Sequence, residues 1–247
     1  MDFILTLALK KSLMSNPKLS IIIPAYNEEK TVGKIIERVL AVPFSGWDTE
    51  IIAVNDASTD RTLSAMKIFS SRIKIINLSK NSGKSSAVCS ALRQASGDFV
   101  IIQDADMECK PEEIPLLLSA LGNPPDTRSK IAVIGSRETH AGNPKKKTFS
   151  RFGSLFITKF INVLFGSSLT DTSMCYKLFP RPAFGYFTDG GFEAESLFVA
   201  RLLKNGYHII EVPVSYFPRS VEEGKKIRYR DGMKIIIRIL WFRIIGR

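Results

Sequence analysis

Residues 99–108, Phe-Val-Ile-Ile-Gln-Asp-Ala-Asp-Met-Glu, form an apolar run that ends in carboxylates. The run of aromatic and β-branched residues is typical of a strand that is buried on both faces. In an extended segment side chains alternate, so Asp104, Asp106 and Glu108 are expected to point the same way. Clustered carboxylates repel one another unless a cation neutralises them, and all-oxygen ligands suit Mg²⁺ or Mn²⁺. The sequence therefore predicts a strand that ends in a metal site.

A second interpretation of this stretch stays open. The carboxylates also suit a solvated loop that leads into a helix with Pro111 at its first position and Glu112 and Glu113 in its first turn. Taken alone, the Asp-x-Asp pattern favours that loop. The surrounding sequence decides between the two interpretations.

The pattern around this stretch alternates strands with helices. Apolar positions between Val32 and Leu40 recur at helical spacing behind Asn27, which we expect to cap the helix. Further helices are predicted after Thr59 and from about residue 84 to residue 94. The alternation predicts an α/β sheet with ligands at the carboxyl ends of its strands. The predicted strands are Leu19–Ile23, Glu50–Val54, Ile73–Leu78, Phe99–Gln103 and Ile131–Ile134.

Composition indicates a globular chain with a full core. The 247 residues are 45% hydrophobic, and no obvious linker divides them, so we expect one domain. Cys89, Cys109 and Cys175 are odd in number and far apart, which argues against a disulfide framework and for a reducing cytosol. The formal charge of +11 is compatible with nucleic acid, an anionic membrane surface or phosphorylated substrates.

No segment is long enough to span a bilayer. The apolar stretch Phe3–Leu9 stops at two lysines and is expected to be a frayed or surface-lying helix. Residues 235–245 would form a helix about 17 Å long, against a hydrocarbon core of about 30 Å. We expect this second segment either to lie on a membrane or to pack against protein.

Two common nucleotide-binding motifs are missing. The chain has no G-x-G-x-x-G, and Gly83-Lys84-Ser85 fails as a P-loop because position 78 is leucine. The two histidines, His140 and His208, have no neighbouring ligands at a metal-binding spacing.

Four motifs that follow successive predicted strands resemble those of the family 2 glycosyltransferases. Later segments resemble the branch that contains dolichyl-phosphate mannose and glucose synthases, which are polyprenyl-phosphate hexosyltransferases. The first set is residues 24–29 (PAYNEE), 55–60 (NDASTD), 81–84 (NSGK) and 104–106 (DAD). The second set is residues 135–137 (GSR), 150–151 (SR), 171–177 (DTSMCYK) and 222–227 (EEGKKI).

The resemblance implies a Rossmann-like nucleotide-diphospho-sugar transferase fold of the GT-A type, with a mainly parallel central sheet. It implies one transferase domain over residues 19–232, with a donor half at about 19–137 and an acceptor half at about 138–232. Residues 1–18 are then an N-terminal extension, and residues 233–247 an apolar and basic tail.

The implied activity is inverting transfer of a hexose from a UDP-glucose or GDP-mannose type of donor to a polyprenyl or dolichyl phosphate. The implied metal is Mg²⁺ or Mn²⁺ on Asp104, Asp106 and Glu108. Asp56 is expected to read the base edge, although capping of the next helix is the alternative for Asp56 and Asp60. The residues implied for donor binding are Pro24, Ala25, Tyr26, Glu28, Asp56, Gly83, Lys84, Asp104 and Ala105.

The acceptor is less firmly indicated. A phosphate monoester is mostly a dianion at neutral pH, so it needs cations rather than a general base. A sugar hydroxyl would need a base, for which Glu193 or Glu195 is available. The resemblance implies catalytic roles for Asp106, Arg137 and Arg151, and contacts to an acceptor phosphate from Ser136, Arg137, Arg151, Arg219 and Lys226.

The chain departs from the family pattern at three places. Ala57 stands where glycine is usual, so a positive φ there would be strained. Glu108 replaces a usual glutamine and adds charge. Residues 174–176 (MCY) differ from the usual Cys-Gly-Phe or Ser-Gly-Phe.

The partners expected are a nucleotide sugar, a polyprenyl phosphate and an anionic membrane surface, with no nucleic acid. Residues 154–165 and 234–245 are apolar stretches that contain Lys or Arg, which suits the cytoplasmic face of a membrane. The alternatives are a sugar-hydroxyl acceptor and, outside enzymes, a basic nucleic-acid-binding module. The oligomeric state is left open.

Overall fold

The computed structural model describes residues 16–122, 125–145, 148–191, 193–219 and 229–246. Seven strands in these ranges form one sheet. They are β1 (Lys18–Ala25), β2 (Asp48–Asn55), β3 (Lys74–Asn77), β4 (Phe99–Ile102), β5 (Ile131–Ser136), β6 (Lys177–Pro180) and β7 (His208–Pro213).

Helices connect the strands and cover the sheet. Short 3-10 turns at Pro111–Glu113 and Arg181–Tyr186 interrupt two of the connections. The helices are α1 (Val32–Ala41), α2 (Thr62–Lys67), α3 (Lys84–Leu92), α4 (Ile114–Ser119), α5 (Phe149–Phe165), α6 (Glu193–Lys204) and α7 (Tyr229–Ile245).

The sheet is parallel except at β6. The strand order is β3-β2-β1-β4-β6-β5-β7, and β6 pairs antiparallel with both β4 and β5. In the parallel part, Ile21 of β1 is in register with Ile51 of β2 and Ile101 of β4. All parallel strands therefore end at one edge of the sheet, and β6 begins there.

The core lies on both faces of the sheet, which explains why the strands are apolar without alternation. On one face Ile21 and Ile23 of β1 share a buried cluster with Ile35 of α1. On the other face Ile22 shares a cluster with Val88 of α3. The sheet is thus covered by helices on both sides.

The predicted strands all fall on observed strands, which confirms the α/β architecture. The predicted helices near residues 32–40, after Thr59 and from Lys84 are also observed. The predicted cap Asn27 is wrong, because α1 is preceded by Thr31 and the Asn27 side chain instead accepts a hydrogen bond from the Thr59 N–H, 2.9 Å away. The N-terminal segment Phe3–Leu9 lies outside the described residues.

The C-terminal segment forms a helix that packs on protein with one face. Ile235, Ile239 and Phe242 of α7 join a buried cluster with Ile161 of α5 and Leu197 of α6. The described part of this helix spans Tyr229–Ile245, and the expected tail of residues 233–247 stays a prediction. Among the described residues, no helix has the length and apolar content needed to cross a bilayer. The division into donor and acceptor halves stays a prediction.

Candidate functional site

The predicted site residues gather at the edge where the parallel strands end. Glu28 follows β1, Asp56 follows β2, Asp104 follows β4, Arg137 follows β5 and Arg219 follows β7. Ligands of open α/β sheets bind at this edge. The structure therefore brings together residues that are distant in sequence.

Asp56 fastens the loop in front of α3. Its carboxylate is buried and accepts the backbone N–H groups of Ser82 and Gly83, at 2.9 and 2.8 Å. Gly83 adopts a φ of 88°, which glycine tolerates at no steric cost. Asp56 therefore does not cap the helix after β2, whereas Asp60, two residues before α2 begins, accepts the Thr62 N–H at 2.9 Å. The predicted contact between Asp56 and a base stays a prediction.

A chain of alternating charges runs from Asp104 into the protein. Lys84 Nζ lies 2.6 Å from Asp104 Oδ1 and 2.7 Å from Glu195 Oε1. Glu195 Oε2 in turn lies 2.8 Å from Lys177 Nζ. Lys177 is fully buried and also donates to the carbonyl oxygen of Met174. This chain anchors the first residue of α3 to the loop after β4.

The chain of charges shifts the titration of its members. Although desolvation opposes charge on Glu195, the ammonium groups of Lys177 and Lys84 lower the pKa of Glu195 to about 2. Desolvation raises the pKa of Asp104, against the effect of Lys84. Asp104 Oδ1 is buried and has no hydrogen bond of good geometry, although Lys84 Nζ lies close to it. Glu195 is thus a charged partner that binds protons very weakly.

Asp106 is held by a second cation. Its Oδ1 accepts the Glu108 N–H at 3.0 Å, and its Oδ2 lies 3.0 Å from Arg219 Nη2. The same guanidinium makes two hydrogen bonds to Glu28, at 3.1 and 2.8 Å. Desolvation, together with the charge of Glu108, raises the pKa of Asp106. Arg219 therefore bridges the loops after β1 and β4.

The expected set of three carboxylates on one face is wrong in its geometry. Strand β4 ends at Ile102, and the following loop turns, with Met107 at a φ of 65°, so side chains do not alternate through Glu108. Glu108 Oε1 instead accepts the Arg219 N–H at 2.9 Å. In the described ranges, no group of three or more His, Cys, Asp or Glu side chains is placed to share one ion. Asp104 and Asp106 remain as a pair of candidate ligands.

Arg137 is paired with Asp171. Its Nε and Nη2 donate to the two Asp171 oxygens, both at 2.7 Å, and its backbone N–H donates to the same carboxylate at 3.0 Å. The guanidinium also lies over the Tyr216 ring, 5.0 Å from its centroid. Although desolvation opposes the cation, Asp171 raises the pKa of Arg137. Arg137 is thus held rigidly beside the site.

The other residues expected to contact an acceptor phosphate are placed differently. Ser136 is fully buried, and its hydroxyl lies 2.6 Å from Thr170 Oγ1, so it does not face the site in this conformation. Arg151 is partly exposed and makes two hydrogen bonds to Glu138, at 2.9 and 2.5 Å. Lys226 lies outside the described residues.

The remaining donor residues line the ends of β1 and β4. Pro24 and Ala25 are the last two residues of β1 and are buried, and Ala105 is buried beside Asp104. The Ala25 carbonyl accepts the Asp56 N–H at 2.9 Å, which sets the two loops in register. Tyr26 is half-buried at the mouth of this edge.

The loop after β2 carries the strain expected at Ala57. This alanine adopts a φ of 53°, in the left-handed region that disfavours side chains with a Cβ. The neighbouring loop residues Asn27 and Ser58 are joined by a hydrogen bond of 3.0 Å. Contacts across the loops therefore hold an unfavourable backbone conformation.

Sequence reasoning missed several residues of the site. Asp171 and Lys177 lie in the 171–177 segment that carried the resemblance, but no role was expected for them. Cys109 and Cys175 are far apart in sequence and no contact between them was predicted, yet they are free thiols with their sulfur atoms 2.7 Å apart. The only sequence signal for the positions of these two cysteines is the apolar residues near each of them.

A family model described as glycosyl transferase family 2 matches residues 20–187, which run from the third residue of β1 to beyond β6. The chain belongs to glycosyltransferase family 2. The family motifs after β1, β2, β3 and β4 are those that the structure brings together at the site.

Curated relatives place this family 2 chain in the predicted branch. It is 37% identical over 136 residues to a dolichol-phosphate mannosyltransferase of Pyrococcus furiosus, covering 54% of this chain and 37% of that protein. It is 33% identical over 168 residues to an undecaprenyl-phosphate 4-deoxy-4-formamido-L-arabinose transferase of Pectobacterium carotovorum, covering 66% and 49%. The chain thus spans half or less of the length of these relatives. Both names contain a polyprenyl phosphate, which confirms the predicted resemblance.

Solved structures confirm the GT-A type of fold for this glycosyltransferase family 2 chain. Glucosyl-3-phosphoglycerate synthase from Mycobacterium tuberculosis, in complex with Mn²⁺, UDP and phosphoglyceric acid, superposes with a TM-score of 0.68. The superposition covers 92% of this chain and 78% of that one, at 19% sequence identity. At this identity the likeness supports the fold alone.

Proposed function

We propose that this chain catalyses inverting transfer of a hexose from a nucleotide-diphosphate sugar to a polyprenyl or dolichyl phosphate. The single observation that carries the choice of acceptor is the state of Glu195. Its carboxylate is paired with both Lys84 and Lys177, and its pKa is lowered to about 2. Such a group is a poor general base at neutral pH. Glu193, the other candidate base, lies 3.9 Å from Arg238 of α7.

The reaction needs no base when the nucleophile is a phosphate monoester. An acceptor oxygen forms a bond to C1 of the sugar while the bond from C1 to the donor diphosphate breaks, and the electron pair leaves with the diphosphate. One displacement inverts C1. Cations must hold two anions close together. Lys84, Arg137 and Arg219 follow β3, β5 and β7 at this edge of the sheet, and Arg151, which is at the start of α5 and paired with Glu138, is our fourth candidate.

Asp104 and Asp106 fit a divalent cation of the Mg²⁺ or Mn²⁺ type. Asp104 Oδ1 is buried without a well-formed hydrogen bond, and oxygen ligands suit a hard ion. Solved relatives of the same fold contain Mn²⁺ or Mg²⁺ together with UDP. When bound, such an ion would neutralise charge that grows on the leaving diphosphate. Asp56, Tyr26 and Glu28 remain our candidates for the base and ribose.

A direct test uses UDP-glucose and GDP-mannose, each with Mg²⁺ or Mn²⁺, and a short polyprenyl phosphate. We expect transfer to the phosphate, with inversion at C1, and no transfer to the matching polyprenol or to simple sugars. The chain spans only part of the length of its relatives, so its activity is tested by detecting the product itself, with mass spectrometry. Preferred transfer to a hydroxyl acceptor would contradict the proposal.

We further propose that the chain contacts an anionic membrane, from its cytoplasmic side, through α5 and α7. Phe152, Phe156 and Val163 form an exposed stripe on α5 that also contains Lys159. On α7, Trp241 is 54% exposed and lies on a face with further exposed apolar and basic residues. Apolar insertion and attraction of Lys and Arg to anionic lipids act together on such a surface.

Vesicle sedimentation tests the membrane proposal. Trp241→Ser and Phe156→Ser should each reduce binding to vesicles that contain phosphatidylglycerol. Ile68→Ser is the matched control, because Ile68 is 77% exposed on a different surface, at the end of α2. Equal binding of all three variants and the parent would exclude this surface.

A further inference from the structure

Each of the two candidate metal ligands is already neutralised by a side chain of the protein. Lys84 forms an ion pair with Asp104, and Arg219 forms an ion pair with Asp106. Both oxygens of Asp106 already have a partner, because Oδ1 accepts the Glu108 N–H and Oδ2 contacts the guanidinium. A cation that uses Asp106 Oδ2 would have to share that oxygen with a positive charge 3.0 Å away.

The two resident cations differ in how easily they release a carboxylate. Lys84 is the first residue of α3 and is paired with both Asp104 and Glu195, at 2.6 and 2.7 Å. Arg219 lies in coil after β7 and touches Asp106 through one contact, while its two-bond contact is with Glu28. The Arg219 backbone N–H stays anchored on Glu108. Only its side chain must turn to release Asp106.

We propose that Arg219 is an exchangeable counter-ion, which leaves Asp106 for the donor diphosphate and so makes nucleotide and divalent cation bind cooperatively. This inference rests on the proposed donor site. A guanidinium matches a phosphate as well as it matches a carboxylate, because both accept two parallel N–H bonds. The diphosphate therefore offers Arg219 a replacement partner, and Asp106 becomes free to ligate an ion.

Cooperativity follows because the exchange is reciprocal. A nucleotide that removes Arg219 from Asp106 raises the affinity for the ion, and the ion raises the affinity for the nucleotide by the same factor. Without nucleotide, the ion competes with Arg219 for Asp106. Arg219 is thus a positioning residue for the donor complex, in addition to its expected role toward an acceptor phosphate.

Calorimetric titration of Mn²⁺ tests the exchange, with and without UDP, or with GDP if UDP does not bind. In the parent protein we expect the nucleotide to tighten Mn²⁺ binding by roughly 5- to 150-fold, the usual range of coupling between two ligands. Arg219→Met should tighten Mn²⁺ binding without nucleotide by at least about fivefold and reduce the coupling factor. Arg219→Lys should lie between the two proteins, since one ammonium cannot bridge Glu28 and Asp106 as a guanidinium does.

The matched control is Arg181→Met. Arg181 follows β6 and donates to the carbonyl oxygens of Ala95 and Gly97, at 3.5 and 2.6 Å, at the opposite edge of the sheet, where β4 begins. Its removal changes the net charge equally, and we expect no change in Mn²⁺ binding there. If folded Arg219→Met or Arg219→Lys binds nucleotide-free Mn²⁺ no more tightly than Arg181→Met does, the exchange is refuted. If the parent binds neither UDP nor GDP with Mn²⁺, the donor site itself is wrong.

Discussion

Replacing Glu195 with glutamine tests the buried chain of charges most directly. Glutamine keeps the shape of the side chain but removes the negative charge between Lys84 and Lys177. The pKa of Glu195 is lowered from 4.5 to about 2, a difference that corresponds to about 3 kcal/mol at about 1.4 kcal/mol per pH unit. Breaking a buried pair on one side typically costs roughly 3–5 kcal/mol, which agrees with this magnitude.

We therefore expect Glu195→Gln to lower the free energy of unfolding by about 3 kcal/mol at pH 7, and the Tm by roughly 6–12 °C for a chain of this size. The sign of the pH dependence follows from the lowered pKa. The contribution of Glu195 is fully present above its ordinary pKa of 4.5 and is lost as the pH falls toward 2. At pH 3 the difference between parent and variant should shrink to about 1 kcal/mol.

The assay is urea unfolding followed by circular dichroism at pH 7 and pH 3. Glu193→Gln is the matched control, since Glu193 forms a long ion pair of 3.9 Å with the exposed Arg238 and its replacement should change stability by less than about 1 kcal/mol. Equal stability of Glu195→Gln and Glu193→Gln at pH 7 would refute the reasoning. The kinetics of Glu195→Gln separate two roles of Glu195. If Glu195 positions Lys84, the variant binds the donor more weakly; if Glu195 is a general base, kcat falls while donor affinity is unchanged.

Three further variants test other parts of the site. Asp106→Asn should keep the fold but lose most turnover, checked by transfer assays in Mn²⁺-replete buffer; near-normal turnover would remove Asp106 from the metal assignment. Asp56→Ala should weaken nucleotide-sugar binding and blur the preference between uracil and guanine donors, because it removes both the proposed base contact and the anchor of Gly83; unchanged affinity and selectivity in titrations would argue against both roles. Ala57→Gly should raise the free energy of unfolding by about 1 kcal/mol, since φ is 53° there and glycine relieves the strain; a loss of stability in urea unfolding would mean that the Cβ makes a favourable contact.

The positions of β1 to β5 along the chain and the edge of the sheet at which the site lies could be predicted from the sequence, because both depend on local signals. Runs such as Ile51–Val54 are apolar on both faces, and each motif follows one of them directly. Strands β6 and β7 were not predicted. The β6 run, Lys-Leu-Phe-Pro, has only four residues and ends in proline, and β7 is also bounded by proline, which weakens the strand signal.

The partners of the charged residues could not be predicted. Arg219 and Glu28 are separated by 191 positions, and Arg137 and Asp171 by 34, so no local pattern links them. A single sequence shows that cations and carboxylates reach the same edge but not which of them meet. The assumption of an extended backbone beyond Ile102 failed for a related reason, since the turn at Met107 depends on contacts made later in the chain.

The antiparallel strand β6 constrains how such a chain can be rearranged. Lys177–Pro180 comes from the predicted acceptor half but is inserted between β4 and β5, where Ile101 is in register with Leu178. A fragment that ends at residue 137 would keep β4 and β5 but leave both without their shared neighbour, with main-chain donors and acceptors unpaired. The predicted donor and acceptor halves therefore cannot be exchanged between relatives as separate units. Chimeras between relatives that aim to combine one donor preference with another acceptor preference should exchange loops at the strand ends and leave the interleaved sheet of one parent whole.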